Sequence, residues 1–182
     1  MKLLARSLLS ALCFGSVFAA SGAETYRYVA LVDGGKKAGH QIVTRGDDGI
    51  VRSEFVFKDN GRGPELKEEF QLAPDGTFTR YHVSGTSTFG AKIDESYTRS
   101  GDRAEWKTTA DSGSRQVSGT AQYAPLGGTP EASSVAIAAL AKRADGKLPL
   151  VPGGTLTMRE LAREQVSGPS GSKSVRLLAV TG

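Results

Sequence analysis

"PELKEEFQLAPDGTFTRYHV", Pro64–Val83, is the stretch on which the fold turns. In its first half Leu66, Phe70 and Leu72 share one face, and Glu65, Lys67, Glu69 and Gln71 share the other. In its second half Thr77, Thr79, Tyr81 and Val83 oppose Phe78, Arg80 and His82. A repeat of two is that of a strand with one wet face. "APDG" between the halves supplies turn chemistry. The stretch therefore reads as an antiparallel hairpin.

The same punctuation recurs along the chain: "DGGK" at Asp33, "GDDG" at Gly46, "DNGRG" at Asp59, "SGD" at Ser100 and "DSGS" at Asp111. Between these turns lie segments rich in Val, Ile, Phe, Tyr and Thr, which predicts a meander of about eight strands from Glu24 to Tyr123. In "RAEWKTT" (Arg103–Thr109), Ala104, Trp106 and Thr108 oppose Arg103, Glu105 and Lys107. "YRYVALV" (Tyr26–Val32) is apolar on both faces, and cover on both sides is expected.

The pattern changes at "APLGGTPEASSVAIAALAKRADGK" (Ala124–Lys147). Thr129 is a good N-cap, Pro130 fits the first helical position, and Glu131 suits the positive end of a helix. A helix is predicted over 131–143, with Lys142 and Arg143 in its last turn and Gly146 just past it. Its apolar stripe is Ala132, Val135, Ala136, Ala139 and Leu140. "LPLVPGG" (Leu148–Gly154) is an extended crossing. "TLTMRELAREQV" (Thr155–Val166) carries two signals. Thr157 and Glu160 fit a helical capping box, whereas Leu156, Met158 and Glu160 alternate with Thr155, Thr157 and Arg159, and the preceding "PGG" favours the strand. "SGPSGSK" reads as a loop and "SVRLLAVTG" as a last strand. The predicted class is mainly β (α+β): one highly curved antiparallel sheet of about ten strands packed around one helix. The chain stops directly after an apolar strand, which leads us to expect that sequence once continued.

The N-terminus is different in kind. "MKLLAR" is basic, "SLLSALCFGSVFAA" is apolar and too short to span a bilayer, and small residues follow. That order predicts a secretory signal peptide over 1–23, cleaved after Ala23 or Ala19, and hence an exported protein, periplasmic or secreted, without a stable membrane anchor. Leu12 before Cys13 does not fit a lipoprotein site, so the mature chain, 24–182, carries no cysteine. Its 159 residues are one domain. Without Lys2 and Arg6 the balance is 21 basic to 19 acidic residues, interspersed, and no nucleic-acid partner is expected.

Motifs for chemistry fail one by one. In "LVDGGKKAGHQIV" (Leu31–Val43), Gly34 and Gly39 have phosphate-loop spacing, but His40 and Gln41 stand where a lysine and a hydroxyl are required. A strand follows where a helix is needed, so Asp33-Gly34-Gly35 is read as a hairpin turn. His40 and His82 lie on different predicted strands, which argues against a metal site. No serine sits in a nucleophile elbow. Arg45-Gly46-Asp47 is a chance adhesion tripeptide in a turn. Glu68-Glu69 and Asp94-Glu95 are neighbours pointing to opposite faces, so neither is a dyad. Glu68 and Glu95 share faces with apolar residues, and if those turn inward each acid needs a partner, such as Arg80 or Arg99, or water. Catalytic and cofactor-binding residues are thus none. Trp106, with Phe55, Phe57, Phe70, Phe78, Tyr81 and Tyr97, is expected in the core; if the sheet curves, Phe70, Phe78, Tyr97 and Trp106 are candidates for lining a ligand groove.

"KDNGRGPEL" (Lys58–Leu66), "APDGTFTRYHVSG" (Ala73–Gly85), "DRAEWKT" (Asp102–Thr108), "KLPLVPGGTLT" (Lys147–Thr157) and "VRLLAVTG" (Val175–Gly182) together resemble the N-terminal β-domain of exported bacterial metal-dependent amidohydrolases, the imidazolonepropionase-like enzymes. The resemblance covers nearly the whole mature chain and rests on turns and strand patterns. It implies a role as non-catalytic domain or fragment of a hydrolase acting on C–N bonds. The catalytic partner would be a metal-binding β/α barrel with a His-x-His motif, absent from this chain, and a divalent metal would belong to that barrel. No catalytic residue carries over. A curved sheet around a helix also resembles periplasmic carriers of lipoproteins or other apolar ligands, the alternative reading.

Overall fold

A computed structural model of the chain describes residues 22–169 and 171–182. The predicted signal peptide falls almost wholly outside the described residues. Eight strands follow one another as a meander: β1 (Glu24–Val32), β2 (Lys36–Arg45), β3 (Val51–Phe57), β4 (Glu65–Leu72), β5 (Phe78–Thr86), β6 (Lys92–Ser100), β7 (Arg103–Lys107) and β8 (Ser112–Gln116). Each pairs antiparallel with the next, in chain order. The chain then adds β9 (Gln122–Tyr123), α1 (Pro130–Ala141), β10 (Lys147–Val151), β11 (Thr155–Gly168) and β12 (Gly171–Thr181). These four strands form a second sheet in the order β12-β11-β10-β9, with β9 and β10 parallel and α1 as their crossover. The molecule is mainly β, with one large antiparallel sheet and one helix, as the sequence predicts. The described strands number twelve in two sheets, rather than about ten in one.

Local signals explain the elements. Asp33–Gly35 forms the first turn, with Gly34 and Gly35 at φ 69° and 77°. Those are left-handed angles that glycine adopts without a Cβ clash. Thr129 caps α1, its Oγ1 accepting from the Glu131 amide at 3.2 Å. The helix stops at Ala141, so Lys142 is its C-cap and Arg143 lies beyond, two residues short of the predicted end. Thr155–Val166 is strand: its backbone pairs with β10 and β12, and tertiary pairing outweighs the capping-box signal.

Alternation places the core. Leu66, Phe70, Tyr81, Val83, Tyr97 and Ala104 all turn into the concave face of the large sheet. Phe78 joins them, although period two assigns it to the opposite face from Tyr81. A register shift is the cause: Gln71 pairs Arg80 while Leu72 pairs Phe78, which leaves Thr79 as a bulge and advances the side-chain phase by one. The Phe78 ring then stands 5.0 Å from Phe70 and 4.9 Å from Tyr81. At the other end of the β4–β5 pair, Gly85 lets β4 approach, since a Cβ on it would lie 2.0 Å from the Glu65 carbonyl. The helix covers the trough through Ala132 and Val135. Ala139 and Leu140 form a second cluster with Leu148, Leu156 and Met158. Each buried large side chain contributes about 1.5–3 kcal/mol.

β1 and the β11–β12 hairpin depart from this pattern. Tyr26, Tyr28, Val29 and Leu31 are exposed, against the expectation that β1 is covered on both faces. It is an edge strand, so only β2 flanks it. No helix among the described residues is long and apolar enough to cross a membrane.

Candidate functional site

The two carboxylates that alternation turns inward define the most unusual place in the trough. Val83 pairs with Glu68 on one side and Glu95 on the other. The two acids therefore lie in one cross-strand row, about 10 Å apart at two strand spacings. Each is only 3 % exposed. Their partners are not Arg80 or Arg99: Arg80 is exposed, and Arg99 instead donates to the carbonyls of Gly101, Val117 and Gly119.

Glu68 is engaged at both oxygens. Tyr81 Oη donates to Oε1 at 2.6 Å, the Thr129 amide donates to Oε1 at 3.1 Å, and Thr129 Oγ1 donates to Oε2 at 2.6 Å. Behind Thr129 the chain of contacts continues to Ser53 Oγ at 3.2 Å, which accepts from Gln41 Nε2 at 3.0 Å. Glu95 accepts from Tyr123 Oη at 2.5 Å and from the Leu126 amide at 3.1 and 3.2 Å. The acids therefore tie down both halves of the segment between β9 and α1, which crosses the trough as a strap. Glu131, at the helix start, adds an ion pair with Arg45 at 2.8 Å.

Burial raises the Glu68 carboxyl above its ordinary value; the hydrogen bonds from Thr129 and Tyr81 oppose that rise without cancelling it, and Glu131 adds to it. Burial, then the Glu68 charge, pushes the Tyr81 hydroxyl far up, and burial with the Glu95 bond does the same to Tyr123. Both phenols stay protonated donors. A pH dependence follows. The folded chain holds the Glu68 proton more tightly than the unfolded chain does. The stability this group contributes is full below the unfolded value of 4.5 and is lost as pH rises through its raised folded value. Urea midpoints measured from pH 4 upward are expected to show this fall, and Glu68→Gln to flatten it; an unchanged slope in the variant would assign it to another group.

The groove candidates are placed as follows. Phe70, Phe78 and Tyr97 are buried within the core, and Tyr97 stacks on Tyr123 at 4.4 Å and 9°. Trp106, partly buried, packs against that core and pairs with Tyr97 across β6 and β7. Tyr97 Oη, Trp106 Nε1 and Gln122 Nε2 are buried without a hydrogen-bond partner. Cavities of about 230 Å³ (Ile93, Glu95, Thr108–Ala110) and 350 Å³ (Tyr123, Pro125, Ala132, Ala136, Leu150) flank Leu126, at the exposed crest of the strap. A third, of about 240 Å³, is lined by Phe70, Tyr81 and Tyr97 together with Glu69, Arg80, His82 and Thr98, and a fourth, of about 430 Å³, is lined by Tyr97 and Trp106, so three of the four groove candidates border a cavity.

His40 lies on β2 and His82 on β5. His82 Nε2 is 3.4 Å from Asp94, whose carboxyl Lys92 and His82 hold below the usual range. Among the described residues no group of three or more His, Cys, Asp or Glu side chains is placed to hold a metal. These residues do not fit the divalent ion of an amidohydrolase. Sequence reasoning singled out Glu68 and Glu95 but missed their partners. Tyr81 was legible as a neighbour across the β4–β5 hairpin, whereas Thr129 and Tyr123 carried only their helix-capping and strand signals. Comparison with known protein families, with curated proteins and with solved structures finds no match for this chain.

Proposed function

We propose that this chain is the non-catalytic β-domain of an exported, amidohydrolase-type hydrolase acting on C–N bonds. The observation that carries this reading is the use made of the two inward acids. Glu68 and Glu95 have their oxygens engaged by Tyr81, Tyr123, Thr129 and the Leu126 amide, and they fasten a strap instead of facing a substrate. The reaction would belong to a separate metal-binding β/α barrel, whose divalent ion supplies an activated water. This domain's part is to flank that barrel. The exposed apolar residues of β1, Tyr28, Val29 and Leu31 among them, suit a chain that packs against something further.

The second reading, a carrier of an apolar ligand, is favoured by the mainly apolar cavity beside Ile93, Ala110 and Leu126. Two arms of one study separate the readings. Genomic sequence around this gene is expected to place a His-x-His barrel in frame with it or beside it, and its absence would count against the hydrolase reading. The purified chain is expected to bind no apolar fluorescent probe saturably; saturable binding that weakens in Leu126→Asp would favour the carrier.

A further inference from the structure

We propose that β12 is a self-association edge, at which two copies of this chain pair their β12 strands antiparallel about Leu177. The proposal goes beyond the hydrolase reading and does not depend on it. Among the described residues β12 ends its sheet, with β11 on one side and no strand on the other. It is eleven residues long and has no proline. The register shift in this hairpin is taken up by β11, between Glu160 and Ala162, so β12 itself pairs through consecutive residues without an extra one. A long, uninterrupted edge is a template for another strand. The other edges are poorer templates. β1 carries its own irregularity at Ala30/Leu31, β8 is five mostly polar residues, and β9 is two residues.

The side chains favour a second copy. Val175, Leu177 and Ala179 alternate onto one face of β12, where register sets them opposite Glu164, Ala162 and Arg159 of β11, and Val166 opposite Lys173. Val166, Val175 and Leu177 are 52 %, 41 % and 56 % exposed. An antiparallel pairing centred on Leu177 sets each Val175 opposite the second copy's Ala179, each Arg176 opposite Leu178, and each Lys173 opposite Thr181. No like charges meet, and the two apolar stripes join into one across the twofold axis. Moving the centre to Arg176 would set two arginines face to face, whereas the centre at Leu177 sets Leu177 on its own copy and Val175 on Ala179, so each residue of the apolar stripe meets an apolar one.

Light scattering behind size exclusion, on the purified chain, is expected to give twice the chain mass. Leu177→Lys places two lysines opposite each other at the axis and is expected to give the single mass, with unchanged far-UV circular dichroism. In a Cys13→Ser background, Leu177→Cys is expected to oxidise to a disulfide-linked dimer, since directly opposed residues sit within disulfide reach; Tyr28→Cys is expected not to. A monomeric wild type, an assembly heavier than a dimer, a dimer that survives in Leu177→Lys, or cross-linking at position 28 in place of 177 would each overturn the proposal. Should Leu177→Lys fail to fold, the two cysteine variants decide it.

Discussion

Glu68→Ala is expected to cost about 3–4 kcal/mol and to lower the melting temperature by roughly 10 °C. Truncation leaves the Tyr81 hydroxyl, the Thr129 amide and the Thr129 hydroxyl facing a pocket where Glu68 was 3 % exposed. Each buried unsatisfied group costs about 1–3 kcal/mol, and the three share one site, so their costs do not simply add. Glu68→Gln is the control. Its amide oxygen, placed at Oε1, accepts from Tyr81 and from the Thr129 amide, and its NH2 faces Thr129 Oγ1. A loss of about 1 kcal/mol is expected there. Calorimetry on the pair checks it: an alanine variant as mild as the glutamine one would mean that the strap is not held by this acid.

Phe78→Ala is expected to be as damaging, at about 3–5 kcal/mol. Phe78 is fully buried, edge-on to Phe70 at 5.0 Å and tilted against Tyr81 at 4.9 Å. Its removal opens a cavity in the middle of the concave face, among β-sheet residues that cannot close in. Simple alternation puts Phe78 on the wet face, where truncation should change stability by only about 0.5 kcal/mol. Phe89→Ala provides that reference, because Phe89 is 85 % exposed in a turn. Urea unfolding of the two variants therefore tests the bulge at Thr79 directly: equal midpoints would return Phe78 to the outer face.

These two residues mark where sequence reading held and where it failed. The meander was legible because its turns carry Asp and Gly and its strands alternate. The helix cap was legible because Thr129, Pro130 and Glu131 stand in order. The bulge was not, since Thr79 is a β-branched residue in an ordinary strand pattern and nothing in its chemistry announces an extra residue. The acids' partners were illegible for another reason. Thr129 lies 61 residues from Glu68 and Tyr123 lies 28 from Glu95, and no local periodicity connects them. The exposure of β1 misled because an apolar strand looks the same whether or not something covers it.

Those sequence separations bear on the order of events during folding. A meander assembles from neighbours, hairpin by hairpin, and each closing loop is short. The strap is fastened only when β4 and β6 are already in place to receive Thr129 and Leu126. The Glu68 and Glu95 contacts are therefore expected to form after the barrier, with low φ values at Thr129 and Tyr123 as the check. They act less on how fast the chain folds than on how long it stays folded, so the strap governs the lifetime of the native state.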